Sequence, residues 1–268
     1  MSGASILVSQ TRHNLVATVR AGAAIALGVI MPVVFFVGAA ALFGAEALGG
    51  DSPVVVRGAG EAPDLRTFYV GGFMAYTVLY AAFVASLPDL VDIRERGLLK
   101  RLRGTPLPLW TFVVARLAIA LAVAVIGVTV IGVIARVAFD VTTRPGAIFG
   151  IMVLTIVGTA MFMCLAFAVA SFTRSNSAAQ GLSNGVGIAL AMISGVFFAP
   201  TILPEAVGDV ARYLPLEPLA NGYQSLYVTD ASGLGLNAGN IAILIGWTMA
   251  AVALVTVRGF RWHPSQHR

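Results

Sequence analysis

Six stretches of this 268-residue chain are long, apolar and nearly free of charge, at roughly 22–43, 66–88, 107–138, 146–172, 178–199 and 238–257. A helix needs about 20 mostly apolar residues to cross the hydrocarbon of a bilayer, and each stretch supplies them. The totals agree: 58% of the residues are hydrophobic and 11% are charged, whereas soluble domains carry about 25% charged residues. So little polar surface cannot cover a water-soluble globule. The fold expected is an all-α polytopic membrane protein, a single transmembrane domain over 1–268 with six spans. The third span is long enough to tilt or to reach beyond the bilayer.

The connections differ in kind. Residues 5–20 are polar and apolar in turn and lack the small-residue site of a cleaved signal, so they are expected to form an amphipathic interfacial helix. The loop at about 44–65 is rich in Gly and Pro with mixed charge and is expected to be irregular. The turn TRSNS at 173–177 is very short. The segment 200–236 holds Pro200, Pro204, Pro215 and Pro218 among apolar residues, which predicts short helices dipping into the outer leaflet.

Six spans bring both ends of the domain to one side, and charge says which. Arg57, Arg66, Arg136, Arg144 and Arg212 fall on one side, and the rest of the 17 basic residues fall on the other. The acids divide the opposite way: of 12, only Asp89, Asp92 and Glu95 lie with the basic majority. Positive charge marks the cytoplasmic face, so both termini are expected there. Basic residues placed between apolar runs are explained by membrane orientation and do not call for nucleic acid. The excess of arginine over a single lysine, Lys100, points to a high-GC bacterial genome and hence a bacterial plasma membrane.

The densest charge cluster is DIRERGLLKRLRG, beginning at Asp92, between spans two and three. Each charge costs about 2.5–3.5 kcal/mol at the centre of a spanning helix, so the cluster must lie outside the hydrocarbon. Wound as a helix over 93–103, it puts Leu98, Leu99 and Leu102 on one face, with Glu95 among them. Arg94, Arg96, Lys100, Arg101 and Arg103 surround the rest, and Gly104 ends the helix. Two readings stay open. The helix is held on anionic lipid by its arginines, or its leucines fill a groove of a cytoplasmic protein, with Glu95 needing a cationic partner there.

Over Arg94-Glu95-Arg96-Gly97-Leu98-Leu99 to Thr105-Pro106 the chain resembles the cytoplasmic loop of ABC-2 type transporter permeases, with a leucine, Leu98, where many members carry a small hydroxyl residue. Arg20 ahead of span one, Pro32 within it, the GVFFAP run from Gly195 to Pro200, Leu203-Pro204 and the Leu214-to-Leu219 run are similar to the same family, in the same order along nearly the whole chain. The drug-exporter branch, typified by daunorubicin-resistance permeases, is the most similar. The resemblance implies that residues 92–104 are a coupling helix resting in a groove of a nucleotide-binding ATPase subunit. The docking residues would be Arg94, Glu95, Arg96, Gly97, Leu98, Leu99, Leu102 and Arg103. It also implies two ATPase copies, a second permease chain, identical or a sister, and an amphipathic drug or lipid-like substrate moved outward. A polysaccharide or glycolipid exporter of the same superfamily is the alternative.

A phosphate-binding loop needs G-x-x-x-x-G-K-[ST]. The only lysine is followed by Arg101, so ATP and Mg would be bound by the partner subunit and no cofactor by this chain. Gly181-Leu-Ser-Asn-Gly185 matches G-x-S-x-G with Ser183 as nucleophile, but no histidine lies in any span. The same residues form G-x-x-x-G, which lets helices approach closely, and packing is the better reading. His263 and His267 at i, i+4 read as a tail more readily than as a metal site.

Two stripes suggest a substrate path. Tyr69, Phe73, Tyr76, Tyr80 and Phe83 share one face of span two. Gln180, Ser183 and Asn184, with Gly187 and Ser194, share one face of span five. Polar side chains inside a bilayer face protein or a cavity, and aromatic rings offer broad apolar faces with hydroxyl handles. The resemblance implies that these spans line the route between permeases; ordinary helix packing is the plain alternative. Rivals of other classes are an intramembrane enzyme built on Ser183 and a secondary transporter. The latter needs ionisable groups at midplane, and no span has one near its centre.

Overall fold

The computed structural model describes residues 23–42, 54–56, 60–62, 65–97, 109–197, 205–227 and 237–258. The expected interfacial helix at 5–20 lies outside the described residues. Helix α1 runs Ala23–Leu42 around Pro32. A hairpin follows in the loop expected to be irregular: β1, Val54–Val56, pairs antiparallel with β2, Gly60–Ala62, in the register Val55 to Glu61. Three successive valines favour extended backbone, because their branched Cβ atoms crowd a helix.

Span two is one rod of three pieces: α2, Leu65–Leu79; a π-helical turn, Tyr80–Val84; and α3, Ser86–Glu95. Pro88 accounts for the middle piece. It has no N–H to offer the Val84 carbonyl, and its ring would collide with that carbonyl in a regular α-turn. The backbone widens instead: the Ala85 N–H reaches back to the Tyr80 oxygen at 2.9 Å, and the Ser86 hydroxyl donates to the Ala81 oxygen at 3.0 Å. The rod therefore passes the proline at which the sequence reading ended the span and continues to Glu95. Arg96 caps it, and Gly97 takes a left-handed φ of 67°. That conformation is cheap only without a Cβ. The helix expected to run from 93 to 103 thus ends at Glu95, with Gly97 left-handed just beyond it. Residues 98–108 lie outside the described residues.

Helix α4 spans Leu109–Phe139, α5 Pro145–Phe172 and α6 Asn176–Ile193. Pro145 opens α5, where a missing N–H costs nothing, and the Ser175 hydroxyl caps α6 by accepting from the Ala178 N–H at 3.2 Å. Two short helices, α7 at Glu205–Ala211 and α8 at Leu216–Ser225, fall in the proline-rich segment, and α9 closes the described chain at Ala238–Arg258. Long helices thus occupy all six places expected of spans. Four of them are long and apolar enough to cross a membrane: Thr67–Glu95, Trp110–Phe139, Pro145–Phe172 and Ala238–Val257. The protein is a polytopic helical membrane protein.

Span two is the axis of the bundle. Of its most apolar stretch 83% is buried inside the chain, against 28% for Trp110–Phe139 and 11% for Ala238–Val257. Its upper piece, α2, packs on α1, α4 and α8, and its lower piece, α3, on α5 and α6. Close approach to α8 is made possible by glycine. A Cβ on Gly158 of α5 would lie 2.7 Å from Leu219. Nearly every residue of α8 is buried, from Leu216 through Ser225 apart from Glu217. The helix is wedged into the bundle end opposite Arg94, and Asn240 of α9 ties to it through Asn221 Oδ1 at 2.8 Å.

Candidate functional site

A cavity of about 540 Å³ opens between α1, the π-turn and α6. Met31, Phe35 and Ala39 come from α1; Tyr76, Tyr80 and Val84 come from span two; Asn184, Gly187, Ile188 and Met192 come from α6; Phe197 closes one end. Among the described residues no charged side chain lines it. Phe197 stands at the centre of an aromatic set, with ring centroids 5.5 Å from Tyr76, 5.6 Å from Phe35 and 5.7 Å from Phe73. Tyr76 meets Tyr80 edge-on at 6.2 Å. Edge-to-face contact is the arrangement that ring quadrupoles favour. The Asn184 amide donates to the Gln180 oxygen at 2.9 Å, so its carboxamide oxygen remains as an acceptor.

The two stripes are thus brought together only in part. Tyr76, Tyr80 and Asn184 share the cavity. Tyr69 and Phe73 are buried behind it, with the Tyr69 hydroxyl donating to the Phe197 oxygen at 3.3 Å. Phe83 is buried in the core at 1% exposure. The π-turn explains its departure: one extra residue in the turn moves Val84, not Phe83, into line with Tyr76 and Tyr80. Gln180 lies one turn from the cavity on exposed α6 and bonds Asn176 at 2.8 Å. Ser183 is fully buried and donates to the Gln180 oxygen of its own helix at 3.1 Å, the behaviour of a packing residue. Met31, Phe35 and Met192 were missed, because single apolar residues on apolar helices carry no signal until the helices are assembled. Phe197 was visible only as part of the GVFFAP run.

Among the described residues, Gly181 and Gly185 make no close contact with another helix. Nothing lies within 4 Å of a Cβ built on either. The glycine of α6 that makes a close contact is Gly187, whose Cβ would stand 2.8 Å from Val84. Gly181, Leu182, Gly185, Ile188 and Met192 remain exposed along α6.

At the far end of α3 the charged residues separate. Glu95 and Arg96 are exposed, and Arg96 pairs with Asp92 one turn back at 2.8 Å. Arg94, expected beside them on a docking surface, is instead buried at 5% exposure. Its guanidinium donates to the Ala170 oxygen at 2.8 Å and to the Thr173 oxygen. These carbonyls belong to the end of α5, where the helix leaves acceptors unpaired and its dipole favours a cation. A second tie lies nearby: Arg116 of α4 pairs with Asp89 and stands over the Phe112 ring at 5.5 Å. Leu98, Leu99, Leu102 and Arg103 lie outside the described residues, as do the histidines.

Five long helices around a buried second span, a cavity between spans and a charged turn at one end describe a polytopic membrane domain. The sequence profile of the ABC-2 type transporter family matches residues 6–228, and the chain belongs to that family. Membership makes it the membrane component of a transporter complex and implies an ATPase partner. No curated protein matches the chain.

Proposed function

We propose that the chain is the permease of an exporter of amphipathic drug-like or lipid-like molecules in a bacterial plasma membrane, driven by ATP hydrolysed in a separate subunit. The observation that carries this reading is the chemistry of the cavity. Among the described residues its walls are aromatic and aliphatic, with two phenol hydroxyls and one carboxamide as the polar side-chain groups. Such a lining accepts a broad apolar body bearing a few hydrogen-bonding groups. A glycan would need many more partners for its hydroxyls, so the lining favours the amphiphile over the polysaccharide.

The exposed Glu95 and Arg96, with Gly97, meet the ATPase, and Leu98, Leu99, Leu102 and Arg103 are the further residues assigned to that contact by the sequence. The bias of basic residues supports placing that contact and both termini in the cytoplasm. A second permease chain, identical or a sister, seats on the open glycine face of α6 and completes the path. The test is uptake of rhodamine 123 into inside-out vesicles from cells making the chain with its ATPase. ATP-dependent uptake supports the reading. Uptake driven by a proton gradient without ATP contradicts it.

A further inference from the structure

The lower part of span two, from the π-turn down, is fastened to the end of α5 and to α6 at three points. Arg94 holds the Ala170 and Thr173 carbonyls, just ahead of the α6 cap at Ser175. Asn176, the first residue of α6, donates to the Pro88 oxygen at 3.4 Å. Farther up, Gly187 lets α6 lie directly against Val84. Both Gly187 and Val84 line the cavity. The upper piece, α2, is held by other elements, above all by α8. Between the two pieces lies the π-turn, whose backbone is the least regular part of the rod and whose Tyr80 is in the cavity wall.

We propose that Arg94 is a positioning residue that ties α3 to the end of α5, directly ahead of α6, so that α3, this turn and α6 move as one block hinged at the π-turn and displacement of the exposed Glu95–Arg96 end reshapes the cavity. Arg94 suits this task because its guanidinium is always charged and grips two acceptors in a fixed fork. A rod bent at a π-turn can swing without losing its backbone bonds, because the turn already exchanges one hydrogen-bond register for another. The α6 wall of the cavity then follows the end of span two, while the α2 wall stays with α8. The inference rests on the reading that a partner pushes on the segment at Glu95 and Arg96. The fastening itself does not depend on it.

Two measurements separate these. The first uses the full chain purified in detergent without a partner, compared as wild type, Arg94→Ala and Arg94→Lys by hydrogen–deuterium exchange. Loss of the fork should speed amide exchange over 173–180 by about tenfold while 216–225 exchanges as before. Lysine, which reaches one carbonyl, should restore part of the protection. Unchanged exchange at 173–180, or an equal rise along the whole chain, would overturn the proposal. The second uses inside-out vesicles with the ATPase. Arg94→Ala should keep hydrolysing ATP and lose most rhodamine 123 uptake, with Arg94→Lys recovering it in part. Hydrolysis and uptake falling in equal proportion would overturn the proposal. A wild-type vesicle that takes up no dye counts against the transport reading instead, and exchange then decides the fastening.

Discussion

Gly71 of α2 meets Gln224 of α8 backbone to backbone: a Cβ at Gly71 would stand 2.6 Å from the Gln224 nitrogen and 2.7 Å from its Cα. No side-chain rotation can relieve such a contact. Gly71→Ala must therefore push α8 off span two, at a cost of about 1–3 kcal/mol, typical of an overfilled core. Thermal unfolding in detergent should show a lowered midpoint. Gly181→Ala, which enters open space, should leave the midpoint of the separated chain where it was. Equal shifts for the two would contradict the packing described.

The same helix is fixed to α5 by Tyr223, fully buried, whose hydroxyl lies 2.7 Å from Thr155 Oγ1. Thr155 also donates to the Ile151 oxygen at 2.7 Å, so Tyr223 is the donor in the pair. The two halves of this bond should then be unequal. Tyr223→Phe leaves Thr155 with a partner and should cost about 1 kcal/mol. Thr155→Val strands a phenol hydroxyl among apolar side chains and should cost more, about 1–3 kcal/mol. Chemical denaturation of the two variants checks the order, and a reversed order would show that the hydroxyl finds another acceptor.

The helix positions and the membrane class were legible because twenty-residue apolar runs and charge clusters are one-dimensional signals. The cavity was legible only in part. Tyr76, Tyr80 and Asn184 stood out as polar or aromatic groups at helical spacing. Phe83 followed the same spacing and went to the core, because the spacing assumed an unbroken α-helix. Pro88 was the available clue: a proline inside an apolar run ends or distorts a helix, and here it distorts one. Arg94 was grouped with its charged neighbours because charge alone suggests solvent. Its acceptors are carbonyls 76 and 79 residues away, and no local pattern announces them. Gly181 and Gly185 showed their capacity for close contact but not that they face open space among the described residues.

Tyr76 and Tyr80 give the cavity both ring surface and hydroxyls. Replacing both with alanine removes two aromatic contacts worth about 0.5–1.5 kcal/mol each, so ATP-dependent dye uptake should fall roughly tenfold while the amount of protein in the membrane is unchanged. Tyr76→Phe with Tyr80→Phe should retain most of the uptake if rings dominate recognition. Full uptake by the alanine variant would remove the cavity from the substrate path.

The open face of α6 predicts its own partner. A Cβ at Gly181 or Gly185 meets nothing among the described residues, so with leucine at both the separated chain should unfold as wild type does. Association with a second permease should weaken, because small residues let helices approach in lipid. Native mass spectrometry from nanodiscs reads both. An undiminished dimer would place the second chain on a different face.

On the proposed function, force from ATP hydrolysis enters through the exposed end of span two, and co-purification checks this. The tagged full-length chain is drawn from its native host in mild detergent beside a Glu95→Ala/Arg96→Ala variant. The two side chains are exposed, so the variant should reach the membrane in equal amount. The account predicts a P-loop ATPase bound to the wild-type chain and lost or strongly depleted from the variant. An ATPase bound equally to both, or to neither, would contradict it.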